Sequence, residues 1–364
     1  MRTLVVSDLH LGRADRADLL RRAELREPLL EALDACDRFV ILGDGLELRE
    51  AAHRDAVATA GPFFAAVGER LGADKELIVL SGNHDHGVAA GWIDARLQSE
   101  PVGFLGLEQR FAPADAGPLA RKLEAAARPA RLQLAYPGLW LREDVYAFHG
   151  HYADLHATVP TFERVAAGMM ARWVAGLPEH GATPDDYEAV LSPLYAWLHA
   201  LTQRADHTIV SRGSGASARS YRLLTAERSP RSLVVKAGYR AAVAGLNAAG
   251  LGPLQASLSP TALRRGYLHG IREVIQRLDL EGARHVIWGH SHRAGPWPAD
   301  DPGEWAGVVN TGSWVYQPHF LSPEPNGSPY WPGTAVILED SGPPRLVRLL
   351  GDRGHDELRQ RDPA

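Results

Sequence analysis

The 364-residue sequence is 45% hydrophobic and 23% charged, the balance of an ordinary water-soluble globular protein with room for a large core and a second, smaller lobe. Its formal net charge of -5 carries no global signature of nucleic-acid binding, and Cys36, the single cysteine, excludes an intrachain disulfide. Strand-like residues begin at Thr3 and no apolar run is long enough to span a bilayer. Neither a cleavable leader nor a membrane helix is therefore expected, and a cytoplasmic location is the default.

Thr3–Val6 reads as a short apolar strand, followed by Ser7-Asp8-Leu9-His10-Leu11-Gly12. In an extended segment Asp8 and His10 would point to the same side, letting one carboxylate and one imidazole hold a single cation. Residues 15–36 read as a helix with an apolar stripe of Leu19, Leu20, Leu25, Leu29, Leu30 and Leu33. Phe39–Leu42 is the second strand, and the strand–helix–strand succession predicts a parallel pair. It runs into Gly43-Asp44-Gly45, which puts Asp44 beyond the carboxyl end of a buried strand, where open α/β sheets gather ligands.

A helix is expected over 49–71, then a third strand, Glu76–Leu80, ending in Ser81-Gly82-Asn83-His84-Asp85-His86. Residues 88–98 look helical, and 100–130 is a Pro/Ala/Gly-rich stretch with only a loose pattern. Strands are expected at 131–135 and 139–148, the second ending in His149-Gly150-His151.

Residues 152–262 break the strand pattern and read as a helical insertion or cap. Helices are expected over Thr161–Leu177 and Asp185–Leu201, with aromatic residues on their apolar faces (Phe162, Trp173, Tyr187, Tyr195, Trp197). A Gly/Ser-rich turn at 211–215 leads to an Ala-rich helical region near 231–248. The span 204–240 holds eight basic residues against Asp206 and Glu227, a local charge of +6. A charge run is usually a solvated face, and aromatic helices usually pack a core. The sharper reading is a lid whose basic residues hold an anionic substrate or make a peripheral contact with an anionic membrane surface.

Strand character resumes at 283–288, ending in Gly289-His290-Ser291-His292, and again at 307–314. The runs 334–339 and 345–350 would close the sheet as an antiparallel pair, leaving 352–364 as a polar tail. Seven of the 16 histidines (His10, His84, His86, His149, His151, His290, His292) stand in or beside polar, Gly-punctuated clusters that follow apolar runs. Asn310, Gly312 and Ser313 read as structural residues fixing the turn beside them.

Five clusters thus fall at strand ends: Asp8-x-His10, Gly43-Asp44, Gly82-Asn83-His84-Asp85, His149-Gly150-His151 and Gly289-His290-Ser291-His292. In this order they resemble the calcineurin-like metallophosphoesterase superfamily, over about 1–150 and 280–315. The resemblance implies an α/β fold, a sandwich of two mixed β-sheets flanked by helices. The phosphoesterase core would be 1–151 with 263–351, interrupted by the insertion at 152–262. It also implies ligands: Asp8, His10 and His292 for one metal, Asn83, His149 and His290 for a second, and Asp44 bridging both.

Oxygen and imidazole donors together suit Mn²⁺, iron or Zn²⁺ rather than Ca²⁺. A shared carboxylate would partly neutralise two cations about 3.5–4 Å apart, the arrangement that clamps in-line phosphoryl displacement. Water activated between them would attack phosphorus as hydroxide, with no side-chain nucleophile. The resemblance makes His84 the general acid or charge stabiliser at the leaving oxygen. The carboxylate that orients it is an Asp in many relatives, three residues beyond the bridging Asp. Glu47 occupies that position here, and Asp85 is the competing candidate. His151 and His86 are read either as substrate contacts or as plain surface residues.

The expected activity is metal-dependent hydrolysis of phosphate monoesters or diesters. A nuclease is one alternative, raised by the Asn83 motif and the basic span and opposed by the lack of aromatic–basic alternation. A second is a pyrophosphatase acting on a lipid-linked substrate. UDP-diacylglucosamine hydrolases are similar in carrying a helical insertion after a His-Gly motif, but they typically have Arg where this chain has His84. An inactive scaffold is disfavoured because all seven ligand positions are filled.

Overall fold

The computed structural model describes residues 1–50, 53–204 and 230–359. The expected turn at 211–215 and most of the basic span lie outside the described residues. Two compact units can be separated. The first comprises Met1–Gly150, Leu198–Arg204 and Gly282–Ala364; the second comprises His151–Trp197 and Ala205–Glu281.

The first unit is a mixed α/β structure built on ten strands: β1 Thr3–Val6, β2 Arg38–Leu42, β3 Glu76–Leu80, β4 Glu108–Phe111, β5 Arg131–Arg142, β6 Val145–Phe148, β7 His285–Trp288, β8 Val308–Asn310, β9 Thr334–Leu338 and β10 Arg345–Arg348. They hydrogen-bond in the order β10-β9-β1-β2-β3-β5-β6-β7-β8, with β4 beside β5. β1, β2, β3 and the start of β5 run parallel, β6 to β8 form a second parallel run, and β9 and β10 are antiparallel. The parallel strands β1 and β2 are buried throughout, as continuous apolar runs require.

Side chains along these strands alternate between two cores. Leu4, Val6, Phe39, Ile41, Leu77 and Val79 face a core shared with helices, among them Ala23–Asp34 and His53–Leu71. Val5, Val40, Leu42, Ile78 and Leu80 face a second core made only of strand residues, which includes Leu139, Val145, Ala147, Ile287 and Val309. Arg38 of β2 donates to the carbonyl of Leu141 at the far end of β5, 2.8 Å away, although the two strands are not neighbours in the sheet.

Several expected boundaries shift. The helix over 15–36 is shorter: a single 3-10 turn, Leu19–Arg21, precedes Ala23–Asp34, yet all six leucines of the stripe are buried. The expected break at 136–138 is absent. β5 runs on through Pro137 because β4 lies alongside it, with Glu108 opposite both Pro137 and Gly138 in a bulge that needs no N–H from the proline. The real turn falls at Glu143–Asp144, between β5 and β6. The loosely patterned 100–130 stretch holds β4 and the helices Pro113–Ala116 and Pro118–Ala126. Residues 355–358 form a short helix whose Leu358 is buried.

The second unit contains the helices Phe162–Trp173 and Pro230–Leu246, most of Pro184–Arg204, and Pro260–Arg277, which the residue pattern did not suggest. Tyr152 stacks on Tyr187 with ring centroids 4.6 Å apart, and Tyr195 is buried with them. Phe162, Trp173 and Trp197 are instead exposed, so only part of the expected aromatic face is core. No helix of the described residues is long and apolar enough to cross a membrane.

Candidate metal centre

The loops that leave β1, β2, β3, β6 and β7 at their carboxyl ends carry the acidic, amide and imidazole side chains into one place. Ligand atoms within 4.8 Å of one another form three groups: Asp8, His10 and His292; His10, Asp44 and His84; and Asp44, His149 and His290. Asn83 joins the third, its side-chain oxygen 3.1 Å from His149 Nε2. Asp8, His10, Asp44, Asn83 and His149 are buried, while His84, His290 and His292 are half-buried.

The loops reach this geometry through left-handed backbone, not through the extended alternation expected for Asp8 and His10. Asp8 (φ 54°), His10 (46°), Asp44 (51°), His290 (67°) and His292 (57°) all lie in that region. β1 has already ended at Val6, and the chain turns at each of these residues. Backbone hydrogen bonds knit the turns together: Asp8 N–H donates to Gly43, and His10 N–H to the carbonyl of Asp44. The carboxylates are also held by the backbone, Asp8 by the His290 N–H at 2.9 Å and Asp44 by the His84 N–H at 2.8 Å. Glycine is needed where loops touch, since a Cβ on Gly82 would overlap both Asp44 and His149.

Two of the imidazoles are anchored from outside the cluster. His10 Nδ1 bonds to Glu47 at 3.0 Å and His149 Nδ1 to the carbonyl of Leu42 at 2.9 Å, so the Nε2 of each faces inward. His10 Nε2 and His292 Nε2 stand 3.0 Å apart, and Asp8 Oδ1, 3.4 Å from the latter, is buried without a hydrogen bond. Asn83 tells the same story. Its oxygen faces only acceptors, and turning the amide would aim its NH₂ at His149 Nε2, His290 Nδ1 and Asp44 Oδ2, at 3.1 to 3.3 Å. Lone pairs thus converge in overlapping groups, a donor set of carboxylate, amide oxygen and imidazole that fits first-row divalent cations.

The charges follow. Burial works to raise the Asp8, Asp44 and Glu47 carboxyls, but the surrounding imidazoles outweigh it and hold all three below the ordinary range, Asp44 and Glu47 well below. Burial lowers His10 to about 4 despite Glu47. For His149 burial is overcome by Asp44, and the imidazole is pushed up to about 10. Burial also opposes protonation of His84, yet Glu47 raises it.

Glu47 and Asp85 occupy different places. Glu47, fully buried, bonds to His84 Nδ1 and His10 Nδ1, each at 3.0 Å. Asp85 touches no imidazole by hydrogen bond. Its carboxylate accepts the N–H groups of Asp44, Gly45, Leu46 and Gly82, tying the second and third loops together, while burial and the Asp44 charge push it up to about 7. His86 is buried outside the three groups, with Nε2 lacking a hydrogen bond. His151 belongs to the second unit, against Tyr152 and Tyr195. Asn310 bonds the carbonyl of Gly289, the Ser291 hydroxyl and the Gly312 N–H, fixing the His290 turn.

Residue reading missed Arg49, whose Nε donates to the Asn83 carbonyl at 3.0 Å and whose Nη1 lies 3.5 Å from His84 Nε2. Nothing in an Arg between Leu48 and Glu50 signals that position.

Fold and site define a mixed α/β protein with a cluster of candidate metal ligands at the carboxyl ends of its strands. Residues 1–164 match the family model Metallophos, the calcineurin-like phosphoesterases, so the resemblance read from the motifs holds over that part of the chain and implies metal-dependent phosphoester hydrolysis. No curated protein matches the chain.

Proposed function

We propose that the chain is a phosphoester hydrolase working with two divalent cations, Mn²⁺, iron or Zn²⁺. Asp8, His10 and His292 would hold one, Asn83, His149 and His290 the other, and Asp44 would bridge them. The observation that carries this reading is the clustering of carboxylate and imidazole ligand atoms in overlapping groups, with His10 and His149 anchored from behind. When bound, such a pair supplies charge to neutralise phosphoryl oxygens and to make water acidic enough to attack phosphorus.

The remaining work falls to the protein. Glu47 holds His84 by Nδ1, which leaves Nε2 to give a proton to a leaving oxygen. Because the same carboxylate holds His10, the acid and a metal ligand keep a constant separation. Asp85 serves as the anchor of the loops, not as the orienting carboxylate. The strand-only core and the Arg38–Leu141 bond support a sheet folded back on itself through β5 into two layers, the sandwich expected for this family.

The test is turnover of p-nitrophenyl phosphate and bis-p-nitrophenyl phosphate after loading with each of the three metals. Hydrolysis that stops on chelation and returns on metal addition is expected. No turnover with any metal on any phosphoester overturns the reading.

A further inference from the structure

We infer that Arg49 receives an anionic leaving group, so that the preferred substrate class is a diphosphate (P–O–P) linkage rather than an ester of a neutral alcohol; this rests on the phosphoester-hydrolase reading above. Arg49 follows directly from the loop that carries Asp44 and Glu47. Its backbone N–H donates to Glu47 Oε1 at 3.0 Å, and its Nε to the Asn83 carbonyl at 3.0 Å. Nη1 lies 3.5 Å from His84 Nε2. The half-buried guanidinium is therefore fixed beside the His84 imidazole, one of the side chains of the cluster.

The chemistry of that side follows from what a guanidinium can do. It does not give up a proton in proteins, so it cannot neutralise a departing alkoxide by protonation. It stabilises charge, and its planar fork matches two oxygens of a phosphate. An alcohol leaves well only if protonated, whereas a phosphomonoester leaves as an anion and needs charge stabilisation above all. Cleavage of R–O–PO₂⁻–O–PO₂⁻–O–R′ by water balances without any co-reactant. Water oxygen bonds to one phosphorus, the bond from that phosphorus to the bridging oxygen breaks, and the electron pair stays on the bridging oxygen. Two phosphomonoesters result, and the protons of water pass to product and solvent. Arg49 is placed to bind the departing phosphomonoester.

The experiment compares kcat/KM of the metal-loaded full chain on ADP-ribose and UDP-glucose with that on bis-p-nitrophenyl phosphate, alongside calorimetric binding of α,β-methylene-ADP. Expected is a preference for the diphosphates in the wild type. In Arg49→Met the diphosphate-to-aryl-ester ratio and the affinity for α,β-methylene-ADP should each fall roughly 10- to 100-fold, the scale of one charge-assisted hydrogen bond. Arg49→Lys should recover part of both. Arg54→Met, whose side chain is 85% exposed, should leave the ratio unchanged. Melting curves confirm that the variants fold. A wild type that cleaves aryl esters but does not prefer diphosphates, or an Arg49→Met that loses both substrate types equally and keeps α,β-methylene-ADP affinity, overturns the inference and leaves the hydrolase reading standing. Failure on every ester overturns the hydrolase reading itself.

Discussion

The imidazole of His149 lies directly against Gly43, so closely that a Cβ on Gly43 would overlap the ring. Gly43 also has φ 84°, where any L side chain is strained. Gly43→Ala must therefore strain the turn before Asp44 and push His149 aside. The backbone effect alone should destabilise by roughly 1–2 kcal/mol. The expected result is a lower melting temperature together with reduced metal content; wild-type values for both would contradict the packing described.

Asp44→Asn keeps the shape of the side chain and removes its charge. If Asp44 bridges two cations as proposed, metal analysis of the purified variant should find fewer than two ions per chain. Activity should fall by about two orders of magnitude or more, since the cations supply several kcal/mol of transition-state stabilisation. Near-native metal content and activity would refute the bridging role.

Glu47 reaches two imidazoles at once because it has one more methylene than an aspartate. Glu47→Asp should lose hold of His84 or of His10, and Glu47→Gln keeps the reach without the charge. Each should lower activity by about 10- to 100-fold. Loss of metal would accompany it where His10 is released, and a lower kcat at unchanged metal content where His84 is. A variant with unaltered kcat, KM and metal content would remove Glu47 from the scheme.

In the second unit His156 bonds to the Tyr187 hydroxyl at 2.9 Å. Burial, and then the nearby Arg277, Arg164 and His269, lower its imidazole to about 3. Above its unfolded value of about 6.5 the imidazole is neutral in both states and has no effect on pH dependence. As pH falls from about 6.5 toward 3 the unfolded chain gains a proton that the folded chain refuses, so stability declines by up to about 1.4 kcal/mol per unit. His156→Gln should flatten that part of the melting-temperature profile; parallel profiles would show that the group does not carry it.

What could be read from residues was what apolar periodicity writes down. β1 and β3 were legible to the residue, and β2 nearly so, because buried parallel strands must be continuous apolar runs ending at polar turns. The strand end after Arg142 was not, because Tyr136-Pro137-Gly138 looks like a stop unless β4 is known to lie beside it. Motif spacing marked the clustered side chains but misjudged how two of them converge. Asp8 and His10 meet their partners through left-handed turns, which ordinary propensity disfavours and only the surrounding loops impose. Arg49 was invisible because its position depends on a contact with Asn83, 34 residues away in sequence.

Those five left-handed residues bear on how such a protein could change over time. Each is held in a conformation that glycine adopts more readily, at a cost of order 1 kcal/mol. Substitution to glycine at Asp8, His10, Asp44, His290 or His292 would remove a ligand and, at the same step, relieve the backbone. The backbone term alone therefore favours glycine, set against the hydrogen bonds that Asp8 and Asp44 accept from the His290 and His84 N–H groups and that His10 makes to Glu47. A descendant that kept the fold as a silent scaffold should be found with glycine first at the half-buried His290 and His292 turns, where the least packing is lost.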